Sequence, residues 1–179
     1  SIDNCTHSFF GSSKSYAALI VQEYGKYVGL KTACFRAGCL TGPRHSGAKL
    51  HGFLSYLVKT VLTKKKYTII GYKGKQVRDN IHSTDLVKCF WEFYKKPRKG
   101  EVYNTGGTRL SNCSIIEAIN YLEHKTKMRI KKVYIGKNRI GDHIWYISSM
   151  KKFKKHFPYW KQRFTTKKIL DELVSNIGF

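Results

Sequence analysis

The sequence predicts an α/β protein, on three observations. Segments with helical periodicity alternate with short runs that read as strands. Hydrophobic residues make up 41% of the chain and aromatic residues 14%, so a packed core is expected rather than disorder. No G-x-G-x-x-G cluster follows a first strand: Gly11, Gly25 and Gly29 do not form one, and the chain opens on a helix. The 179 residues therefore read as one domain that is not a complete doubly wound fold.

Ala17, Ile20, Val21, Tyr24 and Val28 recur at helical spacing, which predicts a helix over 12–29 with Gly29 as its stop. Residues 31–36 (KTACFR) look like a short buried strand, and 37–47 a loop broken by Gly38, Gly42, Pro43 and Gly47. A second helix is expected over 49–63, with Leu50, Phe53, Leu54, Leu57, Val58 and Val61 facing inward. Strand 67–70, the turn 71–74 and the extended segment 77–82 follow, and Ser83 is the expected N-cap of a helix over 84–95. Residues 101–104 read as a strand running into Gly106-Gly107. Ser114 and Glu117 fit a capping box. A strand at 130–135 and two short helices, near 149–157 and 166–177, complete the chain.

Composition narrows the function classes. No run of about 18 apolar residues is present, so a membrane span is not expected. Ser1-Ile2-Asp3-Asn4-Cys5 has neither the basic nor the apolar region of a signal peptide, and the missing initiator Met fits a fragment. Cys5, Cys34, Cys39, Cys89 and Cys113 are odd in number and lack C-x-x-C spacing. Reduced thiols in a cytoplasmic protein without a metal site are expected. With 34 Lys and Arg against 11 Asp and Glu, the net charge is +23. That balance invites a nucleic-acid reading, but no reading module appears and the basic residues are scattered. An anionic nucleotide diphosphate suits the same charge.

The motifs are more specific. Phe10-Gly11-Ser12-Ser13-Lys14 resembles the Y-G-x-S-K segment of the extended short-chain dehydrogenase/reductase (NAD-dependent epimerase/dehydratase) family. Phe35 to Pro43 resembles its L-R-x-x-N-x-Y-G-P stretch, with Cys39 at the usual Asn and Thr41 at the usual Tyr. Residues 71–86 (GYKGKQVRDNIHSTDL) resemble its G-x-G-x-Q-x-R-D-x-x-x-x-x-D block, the strongest match. Val102 to Gly107 resembles V-Y-N-x-G-G, and Arg139-Ile140-Gly141-Asp142 resembles R-x-G-D.

The resemblance runs from about Phe10 to Leu173 and implies one truncated domain, the C-terminal part of a Rossmann-type doubly wound fold plus the small α/β substrate-binding subdomain, with the N-terminal dinucleotide-binding half missing. Residues 1–47 would end the Rossmann portion, and 48–179 would be mainly substrate-binding subdomain with interleaved Rossmann elements. It implies an NAD-dependent epimerase or dehydratase acting on a nucleotide-diphosphate sugar, as a homodimer, by transient oxidation to a keto-sugar and return of the hydride to the other face. The phrasing of residues 21–25, 50–54 and 74–79 looks most like a branch that epimerises CDP-linked sugars at C2. By resemblance, Lys14, Arg36 and Cys39 contact NAD, and Lys14 is also catalytic, lowering the pKa of the family's Tyr; Cys39, Arg78, Arg139 and Asp142 contact substrate; and Asp79 orients its loop. Phe10 stands at the catalytic Tyr position, where a phenyl ring cannot carry a proton. That departure keeps open a non-catalytic nucleotide-sugar-binding relative and a fragment inactive alone. His82 and Asp85 read as structural. The apolar stripe on residues 17–28 serves equally as core or as dimer face.

Overall fold

Ser8 opens the first helix. Its backbone is extended, and its Oγ accepts the Gly11 N–H at 3.0 Å, which starts the helix three residues earlier than the apolar spacing predicts. The computed structural model describes residues 8–48, 51–139 and 142–176; Cys5, Leu50, Ile140, Gly141 and the expected helix end at 177 lie outside them. Helix α1 (Phe9–Lys26) closes where Leu30 N–H reaches back to the Tyr24 carbonyl at 3.0 Å, a return made possible by Gly29 at φ +85°. Val28, counted in the helical stripe, lies past this end.

Strand β1 (Ala33–Ala37) pairs in parallel with β5 (Glu101–Thr105), and α1 packs against both. Gly25 is what lets α1 approach so closely: a Cβ there would sit 2.0 Å from the Gly100 nitrogen. Strand β2 (Cys39–Thr41) lies inside the stretch expected as loop. Three residues are too few to show a period, and parallel pairing with β4 (Val77–His82) decides their conformation. β4 also carries β6 (Asn112–Ser114), antiparallel, and β8 (Trp145–Tyr146), parallel. Strand β3 (Tyr67–Ile70) pairs in parallel with β7 (Lys132–Ile135), shorter than the expected 130–135.

Helices α2 (Phe53–Leu62), α4 (Ile115–Thr126) and α6 (Thr166–Asn176) bury Leu54, Leu57, Val58, Ile119, Leu122, Ile169 and Leu170 in one core with β3. The expected capping box at Ser114 and Glu117 opens α4. A second core gathers Cys89 of α3 (Ser83–Lys95), Tyr103 of β5 and Phe153 of α5 (Lys151–His156), with Met150, Phe157 and Trp160. The N-cap of α3 is His82, whose Nδ1 accepts the Thr84 N–H at 3.1 Å, and not Ser83. Asp85 ties the chain's last segment to α3: buried completely, it accepts the N–H groups of Arg163 and Phe164 at 3.0 Å each.

Most of the α1 stripe is left uncovered by the described residues. Tyr24 is 51% exposed and Ile20, Tyr27 and Val28 are exposed too, while Gly25 is the buried residue of the helix. No described helix is long and apolar enough to cross a membrane.

Candidate functional site

Two clefts hold the residues singled out in the sequence. The first, of about 250 Å³, is lined by Cys39 of β2, Gly52 and Phe53 at the start of α2, Gln76 and Arg78 at β4, Ile115 of α4, and Arg139 with Asp142. The turn before β4 holds these together. Tyr72, Lys73 and Gly74 all take left-handed φ values (48°, 53° and 71°), which is unusual for the first two. The turn is stitched to the segment that carries Arg139 and Asp142: Tyr72 N–H donates to Asn138 Oδ1 at 3.1 Å, and Tyr72 Oη to the Asp142 carbonyl at 3.4 Å. Arg78 then forms an ion pair with Asp142, both part-buried, and donates from Nη1 to the Val77 carbonyl at 2.8 Å.

Asp79, the next residue, is fully buried and faces the other way. Its Oδ2 accepts N–H groups from Thr108 at 3.2 Å and Ser148 at 2.9 Å, so it pins the loops after β5 and after β8. Gly38 and Gly106 make room for this carboxylate: a Cβ on either would come within 2.3 Å of it. Cys39 sits beside both residues. Burial, then the Asp79 charge, push its thiol up to about 11 against the pull of Arg78, so it remains a thiol. That agrees with a packing residue rather than a nucleophile.

The second cleft, of about 510 Å³, lies along α1 and is lined by Lys14, Ser15, Ala18, Leu19 and Arg36. The Lys14 ammonium stands over the Phe10 ring, 5.3 Å from its centroid. The structure thus brings Lys14 and Arg36 together. It puts Cys39 with Arg78, Arg139 and Asp142 and apart from that pair. Sequence reasoning missed Gln76 as a lining residue. Its Nε2 donates to the Ile70 carbonyl at 2.9 Å, while its buried Oε1 has no partner among the described residues. The Gln of the quoted block was the available signal. Phe53 was read as a core-facing helix residue, and nothing in its spacing or in that of Ile115 marks either as lining a cleft.

The parallel strand pairs, with helices packed on them, resemble a Rossmann-type α/β fold. The chain belongs to the NAD dependent epimerase/dehydratase family, whose sequence model matches residues 3–106. Among its relatives, it is 30% identical over 124 residues to the CDP-paratose 2-epimerase of Salmonella typhi, covering 65% of this chain and 36% of that protein. It is 32% identical over 111 residues to the dTDP-D-glucose 4,6-dehydratase of Dictyostelium discoideum, covering 62% of this chain and 25% of that one. The structure of dTDP-glucose 4,6-dehydratase from Bacillus anthracis in complex with NAD superposes with a TM-score of 0.79 at 27% identity, over 96% of this chain and 52% of that one. The UDP-glucuronic acid 4-epimerase of Bacillus cereus matches in fold, with a TM-score of 0.76 at 23% identity, over 93% of this chain and 50% of that one. The chain therefore spans about half the length of these solved structures, and its match covers 25% to 36% of these curated relatives.

Proposed function

We propose that this chain is the substrate-binding portion of a cytoplasmic NAD-dependent nucleotide-sugar epimerase whose substrate is CDP-paratose, converted to CDP-tyvelose. The observation that carries the reading is the convergence of Arg78, Arg139 and Asp142 on one cleft at the β4 edge. Two guanidiniums offer planar donor sets that suit the oxygens of a diphosphate. Asp142 holds Arg78 until substrate arrives and then accepts from a sugar hydroxyl. Gln76 supplies a further acceptor through Oε1, and Phe53 and Ile115 form the apolar floor.

The cleft along α1 fits NAD by its donor set: Lys14 and Arg36 offer cations to ribose and phosphate oxygens, and no carboxylate lines it. When bound, NAD supplies a hydride acceptor and donor. This chain's own contributions are to hold, orient and exclude water. Lys14 anchors the ribose from the second turn of α1. Cys39, kept protonated, packs in the substrate cleft beside Arg78 without reacting. Phe10 offers no hydroxyl, so the proton of the sugar hydroxyl is moved by a group other than residue 10. Residues 1–47 act as the close of the dinucleotide-binding portion, and the exposed stripe of α1 pairs two copies as a homodimer.

Phe10 favours a second reading, a nucleotide-sugar-binding relative without turnover; the dehydratase relatives keep a 4,6-dehydratase as a third. The test is thermal stabilisation of the full-length protein by NAD⁺ and by CDP-paratose, followed by product analysis. A joint shift with a tyvelose product supports the epimerase. A shift without product, converted to turnover by Phe10→Tyr, supports the binding relative. A 4-keto-6-deoxy product supports the dehydratase, and no shift with any nucleotide sugar overturns all three.

A further inference from the structure

The excess positive charge is not used up by the nucleotide-sugar reading. The carboxylates of the described residues, Glu23 on α1 aside, each accept a backbone N–H or pair with a neighbouring side chain. Asp79 and Asp85 are buried on backbone N–H groups, and Glu117 closes the α4 cap. The others, such as Glu101 with Lys152 and Asp171 with Lys125, pair with neighbouring basic side chains. The outward field is therefore set by Lys and Arg.

That field has a focus. A third cleft, of about 420 Å³, opens beside β8 and shares no lining residue with the cleft of Arg78. Arg109, Lys151 and Lys154 line it, no carboxylate does, and none of the three takes part in an ion pair among the described residues. The Trp145 side chain, 63% exposed, lines the same cleft. Thr108 lines it too, a β-branched residue at φ 56°, where such residues are strained; Asp79 holds it there through its N–H. Strain of this kind gathers at ligand-contacting positions. Ser149 adds an exposed hydroxyl.

We infer that this cleft binds single-stranded nucleic acid, one base stacking on Trp145 while Arg109, Lys151 and Lys154 neutralise the flanking phosphates. Every base has a π-face, so an exposed indole among cations suits a strand whatever its sequence. The cleft is concave, which fits an unstacked base better than the outside of a duplex. The net charge of +23 adds a non-specific attraction that a polyanionic strand gains more from than a single free nucleotide. The inference does not depend on the epimerase reading.

The test is fluorescence anisotropy of a labelled oligothymidylate of about 15 nucleotides against the full-length protein, over a salt series. The triple variant Arg109→Ala/Lys151→Ala/Lys154→Ala is expected to lose at least about tenfold in affinity and to flatten the log–log salt slope by about 2, three phosphates at roughly 0.7 each. Trp145→Ala is expected to weaken binding by about fivefold or more with the slope unchanged. The control is Lys64→Ala/Lys65→Ala/Lys66→Ala, which removes three exposed lysines from a turn elsewhere. Equal losses in the two triple variants would mean diffuse charge and would overturn the site. No effect of Trp145→Ala would reduce it to a polyanion patch and overturn the base contact, and no binding at low salt would overturn both. Unchanged melting midpoints show that the variants fold.

Discussion

Phe10 and Lys14 lie one turn apart on α1, and the ammonium rests over a ring that can attract it but cannot exchange a proton with it. General acid–base groups contribute about 10²–10⁴-fold. In the binding relative without turnover, Phe10→Tyr is therefore expected to raise turnover of the full-length protein by about 10²-fold with NAD⁺ affinity unchanged; in the proposed epimerase, whose proton another group moves, turnover is expected to stay the same. Crowding around Asp79 gives a second expectation. Gly38→Ala places a Cβ 2.3 Å from Asp79 Oδ1 and 3.2 Å from its backbone oxygen. Neither the carboxylate nor the strand can yield freely, so about 1–3 kcal/mol of stability should be lost, read as a lower denaturation midpoint with the same m-value. Arg78, Arg139, Asp142 and Cys39 were legible in the sequence because motif spacing fixes them. The left-handed Tyr72 and Lys73 were not, because Gly71 and Gly74 carried the visible turn signal, and neither residue type announces a positive φ.

Among the elements, α5 holds β5 through a polar contact inside an aromatic cluster. Tyr103 Oη lies 2.9 Å from His156 Nδ1, which accepts from the phenol in the neutral tautomer. Burial and then the neighbouring Arg98 depress the His156 pKa below its usual 6.5, while burial pushes Tyr103 up to about 12 and keeps its proton. The unfolded chain thus binds this proton more readily than the folded one. Stability from this contact is complete above about pH 6.5 and is lost as pH falls through the lower folded pKa. His156→Gln, which does not titrate, is expected to flatten the melting midpoint between about pH 7 and 5; a parallel slope would place the acid sensitivity elsewhere. Elements of four or more residues were legible from periodicity and capping, as α4 with its Ser114–Glu117 box illustrates. β2, β6 and β8 were not: at two or three residues they have no period of their own and exist because β4 offers them an edge.

At the scale of the molecule, the exposed stripe of α1 sets one more expectation. If two copies pair through it, Tyr24→Asp puts a charge in the middle of the contact, and sedimentation should show the full-length protein shifting toward monomer. A dimer unmoved by that change would assign the contact to another surface. The α/β class and the missing G-x-G-x-x-G loop were legible because alternation of elements and glycine spacing are local properties of the chain. What covers α1 was not legible, since the same stripe serves a core or an interface. The gathering of Arg109, Lys151 and Lys154 into one cleft was hidden for a related reason: they are separated in sequence and meet only because β8 lies against β4.

The β1–β5 pair has a consequence for how the chain is made. Its partners are far apart in sequence, Ala33 meeting Glu101 and Ala37 meeting Thr105, and everything from β2 to α3 lies between them. Such parallel pairing raises the contact order and slows folding, because the loop must close before the contacts reward it. During synthesis β1 leaves the ribosome with an unpaired edge, and the aromatic flank of α1 accompanies it, until β5 has emerged. That interval is when this segment is most open to association with other nascent chains, and a holdase that shields it would raise the yield of folded protein.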